Sequence, residues 1–80
     1  MRILVVEDDK VAAEYVRKGL MEAGHVIDIA TDGDLGLEMA RASDYDVLVI
    51  DRMLPKMNGL DILKDLRANK DTTPVLILSA

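Results

Sequence analysis

The stretch Ile3-Leu4-Val5-Val6-Glu7-Asp8-Asp9 decides the fold, because an uninterrupted apolar run passes directly into three acidic side chains. A short apolar run rich in β-branched residues is typical of a strand that is covered on both faces. Asp9 is placed to cap a following helix from Lys10 to Ala23, and Gly24 to end it. The apolar stripe expected to face the sheet consists of Val11, Ala12, Tyr15, Val16, Leu20 and Ala23.

The alternation of strand and helix continues along the chain. Further strands are predicted at Val26 to Ala30, Asp46 to Ile50 and Val75 to Leu78. Between them lie a helix of about ten residues after the turn Thr31-Asp32-Gly33, and a helix from about Leu60 to Asn69. The apolar positions expected to face the sheet are Leu35, Leu37, Met39 and Ala40 in the second helix, and Ile62, Leu63 and Leu66 in the third.

This order of elements, βαβαβαβ with short connections, predicts an α/β fold with a parallel sheet. Right-handed crossovers with helices on both faces lead to the strand order 2-1-3-4, a doubly wound sheet. In such sheets ligands bind beyond the carboxyl ends of the strands, where the winding reverses, here between strands 1 and 3. The residues expected at that crevice are Glu7, Asp8, Asp9 and Asp51.

Composition excludes several classes of protein. With 80 residues the chain forms at most one domain. A net charge of −5 and 2% aromatic residues argue against direct contact with nucleic acid, which needs clustered cations and stacking platforms. The absence of a long apolar run argues against a membrane span, and the lack of cysteine excludes thiolate metal sites and disulfides. Without a signal sequence at the N-terminus, a bacterial-type cytoplasmic location is expected.

The acidic cluster indicates a site for a hard cation. Several carboxylates would repel a bare phosphate, and neither a G-x-G-x-x-G nor a Walker motif is present. A few carboxylates together with retained water are how proteins hold Mg²⁺, and a phosphoryl group can then bind through the metal. Ser79, at the end of the fourth strand, is expected to offer a hydroxyl beside the same crevice.

Three segments together resemble the receiver domain of bacterial two-component response regulators. They are Ile3 to Asp9, the loop Asp51 to Gly59 with the pattern D-x-x-L-P-x-x-x-G, and Pro74 to Ala80. The acidic pair Glu7-Asp8 and the Met53-Leu54-Pro55 loop most resemble regulators that carry a winged-helix DNA-binding domain. The resemblance covers the whole chain and implies a flavodoxin-like doubly wound parallel sheet, of which four strands are present.

The resemblance also implies a role for each matching residue. Asp51 would accept a phosphoryl group from a sensor histidine kinase, in a relay that controls a transcriptional output. Mg²⁺ would be bound by Asp8 directly, by Glu7 through water, by Asp51, and by the backbone carbonyl of Met53. Ser79 would be the switch hydroxyl that turns toward the phosphoryl oxygen. The protein would not be an enzyme, although it takes part in its own Mg²⁺-dependent phosphorylation.

Family members continue with a fifth strand, helices 4 and 5, a Lys that pairs with the phosphoryl group, and an aromatic switch residue. Residues 1–80 are therefore expected to form the N-terminal part of a receiver domain, with slow phosphorylation. Strand 4 would then be an exposed apolar edge, and we expect it to favour a homodimer.

Other readings of the same residues stay open. Asp9 is expected to be a helix cap rather than a ligand, and Pro55 and Gly59 to shape the loop. A Mg²⁺-dependent phosphohydrolase would use the same crevice, but such folds need a second acid two residues after the first, where this chain has Met53 after Asp51. A shortened, chemically inactive chain that serves only for assembly is the third reading.

Overall fold

The computed structural model describes residues 1–79, so Ala80, the last residue of the strand 4 motif, lies outside the described residues. The described part contains one parallel sheet with the order β2-β1-β3-β4, which confirms the predicted α/β topology. The elements in chain order are β1 (Arg2–Val6), α1 (Lys10–Glu22), β2 (Val26–Ala30), α2 (Gly33–Ala42), β3 (Val47–Asp51), α3 (Gly59–Ala68) and β4 (Val75–Leu78).

The two interior strands, β1 and β3, carry the core. On one face of the sheet, Leu4 and Ile50 pack against Leu37 of α2 and Ile62 of α3. On the other face, Val5 belongs to a second cluster that packs against α1. Because both faces are covered, the first strand is apolar at every position from Ile3 to Val6, as its sequence predicted.

The first helix begins at the predicted cap, but the face that it buries differs in part from the predicted one. Asp9 accepts hydrogen bonds from the backbone amides of Val11 and Ala12, at 2.9 and 3.2 Å, so the predicted cap is confirmed. The predicted apolar stripe is partly wrong, because the side chains of Val11 and Tyr15 are 80% and 81% exposed. The predicted Val16 and Leu20 do contact the sheet, both half-buried, and buried Ala13, which was not predicted, joins them. The small side chain of Ala13 lets the helix approach the sheet closely.

The second helix approaches the sheet through glycine. Gly33, Gly36, Leu37 and Ala40 are buried, at the spacing of one helical face. A Cβ added at Gly36 would lie 2.7 Å from Cγ2 of Val6, so the helix backbone lies almost directly on β1. The prediction that Leu35 faces the sheet was wrong, because the glycine face turns toward β1 and leaves Leu35 exposed.

The two edge strands differ in character. The edge strand β2 carries Asp28, whose carboxylate accepts a hydrogen bond from the Tyr45 hydroxyl at 2.7 Å and lies 3.7 Å from the Arg2 guanidinium. Burial of the ring, together with that hydrogen bond, raises the pKa of Tyr45. The other edge strand, β4, has no charged residue, and its Leu76 and Leu78 are 60% and 43% exposed. Strand 4 is therefore an apolar edge, as predicted.

No helix among residues 1–79 is long and apolar enough to cross a membrane.

Candidate metal centre

Three acidic residues meet at the carboxyl ends of β1 and β3. Val6 and Ile50 are partners in the ladder between these strands, so Glu7, which follows β1, and Asp51, which ends β3, lie side by side. One carboxylate oxygen from each of Glu7, Asp8 and Asp51 lies within 4.8 Å of the other two. The structure thus brings together three of the four acidic residues that were expected at the crevice, Asp9 being the exception.

The crevice is electrostatically unfavourable without a cation. Burial of Glu7 raises its pKa to about 7, and the neighbouring carboxylates of Asp51 and Asp8 add to the effect. The rise means that the ionised form of Glu7 is penalised both by lost hydration and by like charge. A hard cation removes both penalties, and three carboxylate oxygens within one crevice are the donor set that Mg²⁺ uses. The residues present therefore fit the metal that the resemblance implied.

Asp9 stands next to the cluster but outside it. Its carboxylate is occupied by the two amides at the start of α1, and its own amide lies 3.4 Å from Oε2 of Glu7. Asp9 is therefore engaged as a helix cap and lies outside the acidic cluster, while its backbone amide helps to orient Glu7.

The loop between β3 and α3, residues 52–58, holds Asp51 in place. The amide of Met53 donates a hydrogen bond to Oδ1 of Asp51 at 3.0 Å, which fixes the carboxylate at the end of the strand. The amide of Gly59 donates to the carbonyl of Arg52 at 3.0 Å, and Leu54 is buried in the core. The loop is thus closed at its base and anchored in its middle.

Gly59 allows this closure because the chain passes very near itself. A Cβ at this position would lie 2.7 Å from the carbonyl oxygen of Asp51 and 3.1 Å from Cγ2 of Ile50. Both neighbours belong to the strand that ends in the site, so no larger residue fits without moving it. Lys56, with a φ of 69°, makes the left-handed turn that the short loop requires.

Ser79 follows the strand that neighbours β3. Leu78 is the ladder partner of Asp51, so Ser79 lies one residue beyond the level of the site, with an exposed side chain. Ser79 directly follows β4, and its expected role as a hydroxyl beside the crevice stays a prediction.

A groove that the sequence did not predict lies beside the site. It encloses about 320 Å³ next to Glu7, and Lys10, Ala13 and Ile29 are among the residues that line it. The helix α1 and the strand β2 form its walls. No pattern in the sequence indicated this groove, because its lining depends on how α1 packs against β2.

The fold is a doubly wound α/β domain, and three carboxylates cluster at the carboxyl ends of its two central strands. Residues 3–80 match the family model of the response regulator receiver domain, and the chain belongs to this family.

Similar proteins agree with this assignment. The transcriptional regulatory protein CusR of Escherichia coli is 46% identical over 80 residues, which is all of this chain and 35% of CusR. A Francisella response regulator receiver domain is 40% identical with a TM-score of 0.96, over 99% of this chain and 65% of that one. TrrA of Thermotoga maritima, solved in complex with Mg²⁺-BeF, is 32% identical with a TM-score of 0.86, over 95% of this chain and 64% of that one. The chain thus spans about a third of its curated relative and about two thirds of the solved structures.

Proposed function

We propose that Asp51 is the phosphoacceptor of a two-component relay. A carboxylate oxygen of Asp51 attacks the phosphorus of a phosphohistidine on a sensor histidine kinase, the P–N bond breaks, and the histidine leaves with its electron pair. The observation that carries the proposal is the position of Asp51, at the end of an interior strand and within 4.8 Å of two further carboxylates.

The surrounding residues support this reaction by positioning and by charge. The Met53 amide engages Oδ1 of Asp51, which leaves Oδ2 for bond formation. Mg²⁺ held by Glu7, Asp8, Asp51 and the Met53 carbonyl would neutralise the charge on the transferred phosphoryl group. The hydroxyl of Ser79 would then donate a hydrogen bond to a phosphoryl oxygen.

The wider role follows from the relatives. CusR and similar proteins are named as transcriptional regulators, which supports a transcriptional output here, through a winged-helix domain outside this segment. We propose that residues 1–80 are the N-terminal part of a cytoplasmic receiver domain that contacts no DNA or membrane itself. It modifies only itself and is not an enzyme for an external substrate.

The Asp51→Asn variant tests the proposal in two ways. Because the amide carries no charge, Mg²⁺ affinity measured by calorimetry should fall, and labelling by acetyl phosphate, followed by intact mass, should disappear. The control is Asp44→Asn, an exposed carboxylate in the turn before β3, which should leave both measurements unchanged. Equal Mg²⁺ affinity and equal labelling in Asp51→Asn and the parent would overturn the assignment. Labelling in the parent is expected to be slow, since no Lys of this chain matches the one that pairs with the phosphoryl group in the family.

A further inference from the structure

The loop that carries Met53 rests against the first residue of α2. Gly33 is buried, and a Cβ added there would lie 3.0 Å from the carbonyl oxygen of Met57 and 3.1 Å from the Met57 Cβ. These distances are below ordinary van der Waals contact for carbon. Gly33 therefore leaves just enough space for the loop, and any side chain would displace it by a few tenths of an ångström.

The same loop has little freedom to absorb such a displacement. Its ends are joined by the hydrogen bond from Gly59 to Arg52, and Leu54 is fixed in the core. The Met57 amide donates to the Pro55 carbonyl at 2.7 Å, so these residues form a tight turn. Because Arg52 and Gly59 are joined by a hydrogen bond, the closed loop can accommodate a shift of Met57 only by adjusting its own backbone, which includes Met53.

We propose that Gly33 is a positioning residue for the metal site, acting through Met57 on the backbone of Met53. The inference rests on the proposed function, because it assumes that the Met53 carbonyl is a metal ligand. Mg²⁺ tolerates little departure from octahedral geometry, so a displacement of a few tenths of an ångström in one ligand lowers affinity. Partners outside the ligand set typically change metal affinity by at least about tenfold.

The first experiment compares Gly33→Ala with Leu37→Ala in the 80-residue chain. Leu37 is also a buried residue of α2, but its truncation leaves a cavity and pushes nothing toward the loop. By calorimetry, Gly33→Ala should bind Mg²⁺ about tenfold more weakly, whereas Leu37→Ala should keep the parent affinity at a temperature where both are folded. If the parent binds Mg²⁺ and Gly33→Ala binds it with equal affinity, the inference is overturned.

A metal-free measurement separates failure of this inference from failure of the proposed function. In Mg²⁺-free protein, the amide resonances of Met53 and Gly59 should move in Gly33→Ala and stay in place in Leu37→Ala. Unmoved Met53 and Gly59 amides would overturn the inference whatever the metal does. If these amides move but the parent binds no Mg²⁺, the loop coupling stands and the metal role of the site fails.

A second pair of variants covers the case in which Gly33→Ala does not fold. Met57→Gly removes the Cβ of Met57 from the same close approach, keeps its carbonyl oxygen and adds no bulk, and it should weaken Mg²⁺ binding and move the Met53 amide. Lys56→Gly is the control, because glycine suits its φ of 69° and leaves the Gly33 contact untouched. The same Mg²⁺ affinity and the same Met53 amide position in both variants would show that the contact with Gly33 has no positioning role.

Discussion

Asp8 and Asp9 are adjacent and chemically identical, yet they occupy different structural positions. Asp9 caps α1, whereas Asp8 is exposed and offers its oxygen to the acidic crevice. We expect Asp9→Ala to lower the free energy of unfolding by about 1 kcal/mol and to leave Mg²⁺ affinity unchanged. Asp8→Ala should weaken Mg²⁺ binding, because it removes a ligand. It should not lower the free energy of unfolding, because it also removes a charge that repels Glu7 and Asp51. Chemical denaturation and calorimetry on both variants check this, and loss of Mg²⁺ binding in folded Asp9→Ala would contradict it.

Asp71 provides a test of pH dependence away from the site. Its carboxylate accepts hydrogen bonds from the Thr73 hydroxyl at 2.6 Å and the Thr73 amide at 2.9 Å, and these bonds lower the pKa of Asp71. A lowered folded-state pKa means that the stabilisation is complete above the ordinary value of 3.8 and is lost as the pH falls through the folded value.

Thr73→Val removes the hydroxyl and keeps the amide. The pKa of Asp71, followed by the NMR shift of its carboxyl carbon, should therefore rise toward 3.8. The free energy of unfolding of Thr73→Val at neutral pH should be lower than that of the parent. The difference between the two proteins should disappear at acidic pH. An Asp71 titration identical in both proteins would show that the hydroxyl contributes nothing.

The acidic residues of the site could be predicted from the sequence, but the glycines beside them could not. Glu7 and Asp51 each follow an apolar run, and the carboxyl ends of parallel strands meet at one edge of the sheet. From the sequence, Gly33 was predicted only to be part of a turn. A glycine in the sequence indicates backbone freedom, but it does not show that a Cβ there would lie 3.0 Å from the Met57 carbonyl oxygen. Close approaches of this kind depend on how two elements pack, which no local pattern records.

At the scale of elements, topology was predictable and helix orientation was not. The order of strands follows from short crossovers and their handedness. The face of α1 did not follow, because Val11 and Tyr15 form a second apolar stripe that competes with the one containing Val16 and Leu20. Hydrophobic periodicity shows that a helix is amphipathic. Which apolar residues face the sheet depends on how the helix packs against it.

The two stripes of α1 can be distinguished by substitution. Leu20→Ala should lower the free energy of unfolding by about 1 kcal/mol, because Leu20 is half-buried against the sheet. Tyr15→Ala, at an 81% exposed position, should change it by less than about 0.5 kcal/mol. Urea denaturation of the two variants decides between the stripes, and a larger loss in Tyr15→Ala would mean that α1 presents the opposite face to the sheet.

At the scale of the whole 80-residue chain, we expect the apolar edge strand β4 to govern association. An uncharged edge strand with exposed leucines offers both unpaired backbone groups and apolar surface to a second copy. We therefore expect a homodimer, and Leu76→Lys or Leu78→Lys should dissociate it. The matched control is Val26→Lys on the edge strand β2, where Val26 is 62% exposed and Asp28 already supplies a charge. A monodisperse monomer of the parent chain in sedimentation at high micromolar concentration would contradict the prediction.

The strand order also determines which backbone amides of the sheet are best protected from exchange with solvent. Within residues 1–79, the strand before Glu7 and the strand that ends in Asp51 are the interior pair, each hydrogen-bonded on both sides, while β2 and β4 are bonded on one side only. Amide hydrogens of interior strands exchange with solvent mainly through global unfolding, whereas edges exchange through smaller local openings. The two strands that carry the acidic crevice are therefore expected to exchange more slowly than β2 and β4 in the 80-residue chain. Fraying at either edge of the sheet would leave its two principal carboxylates in register.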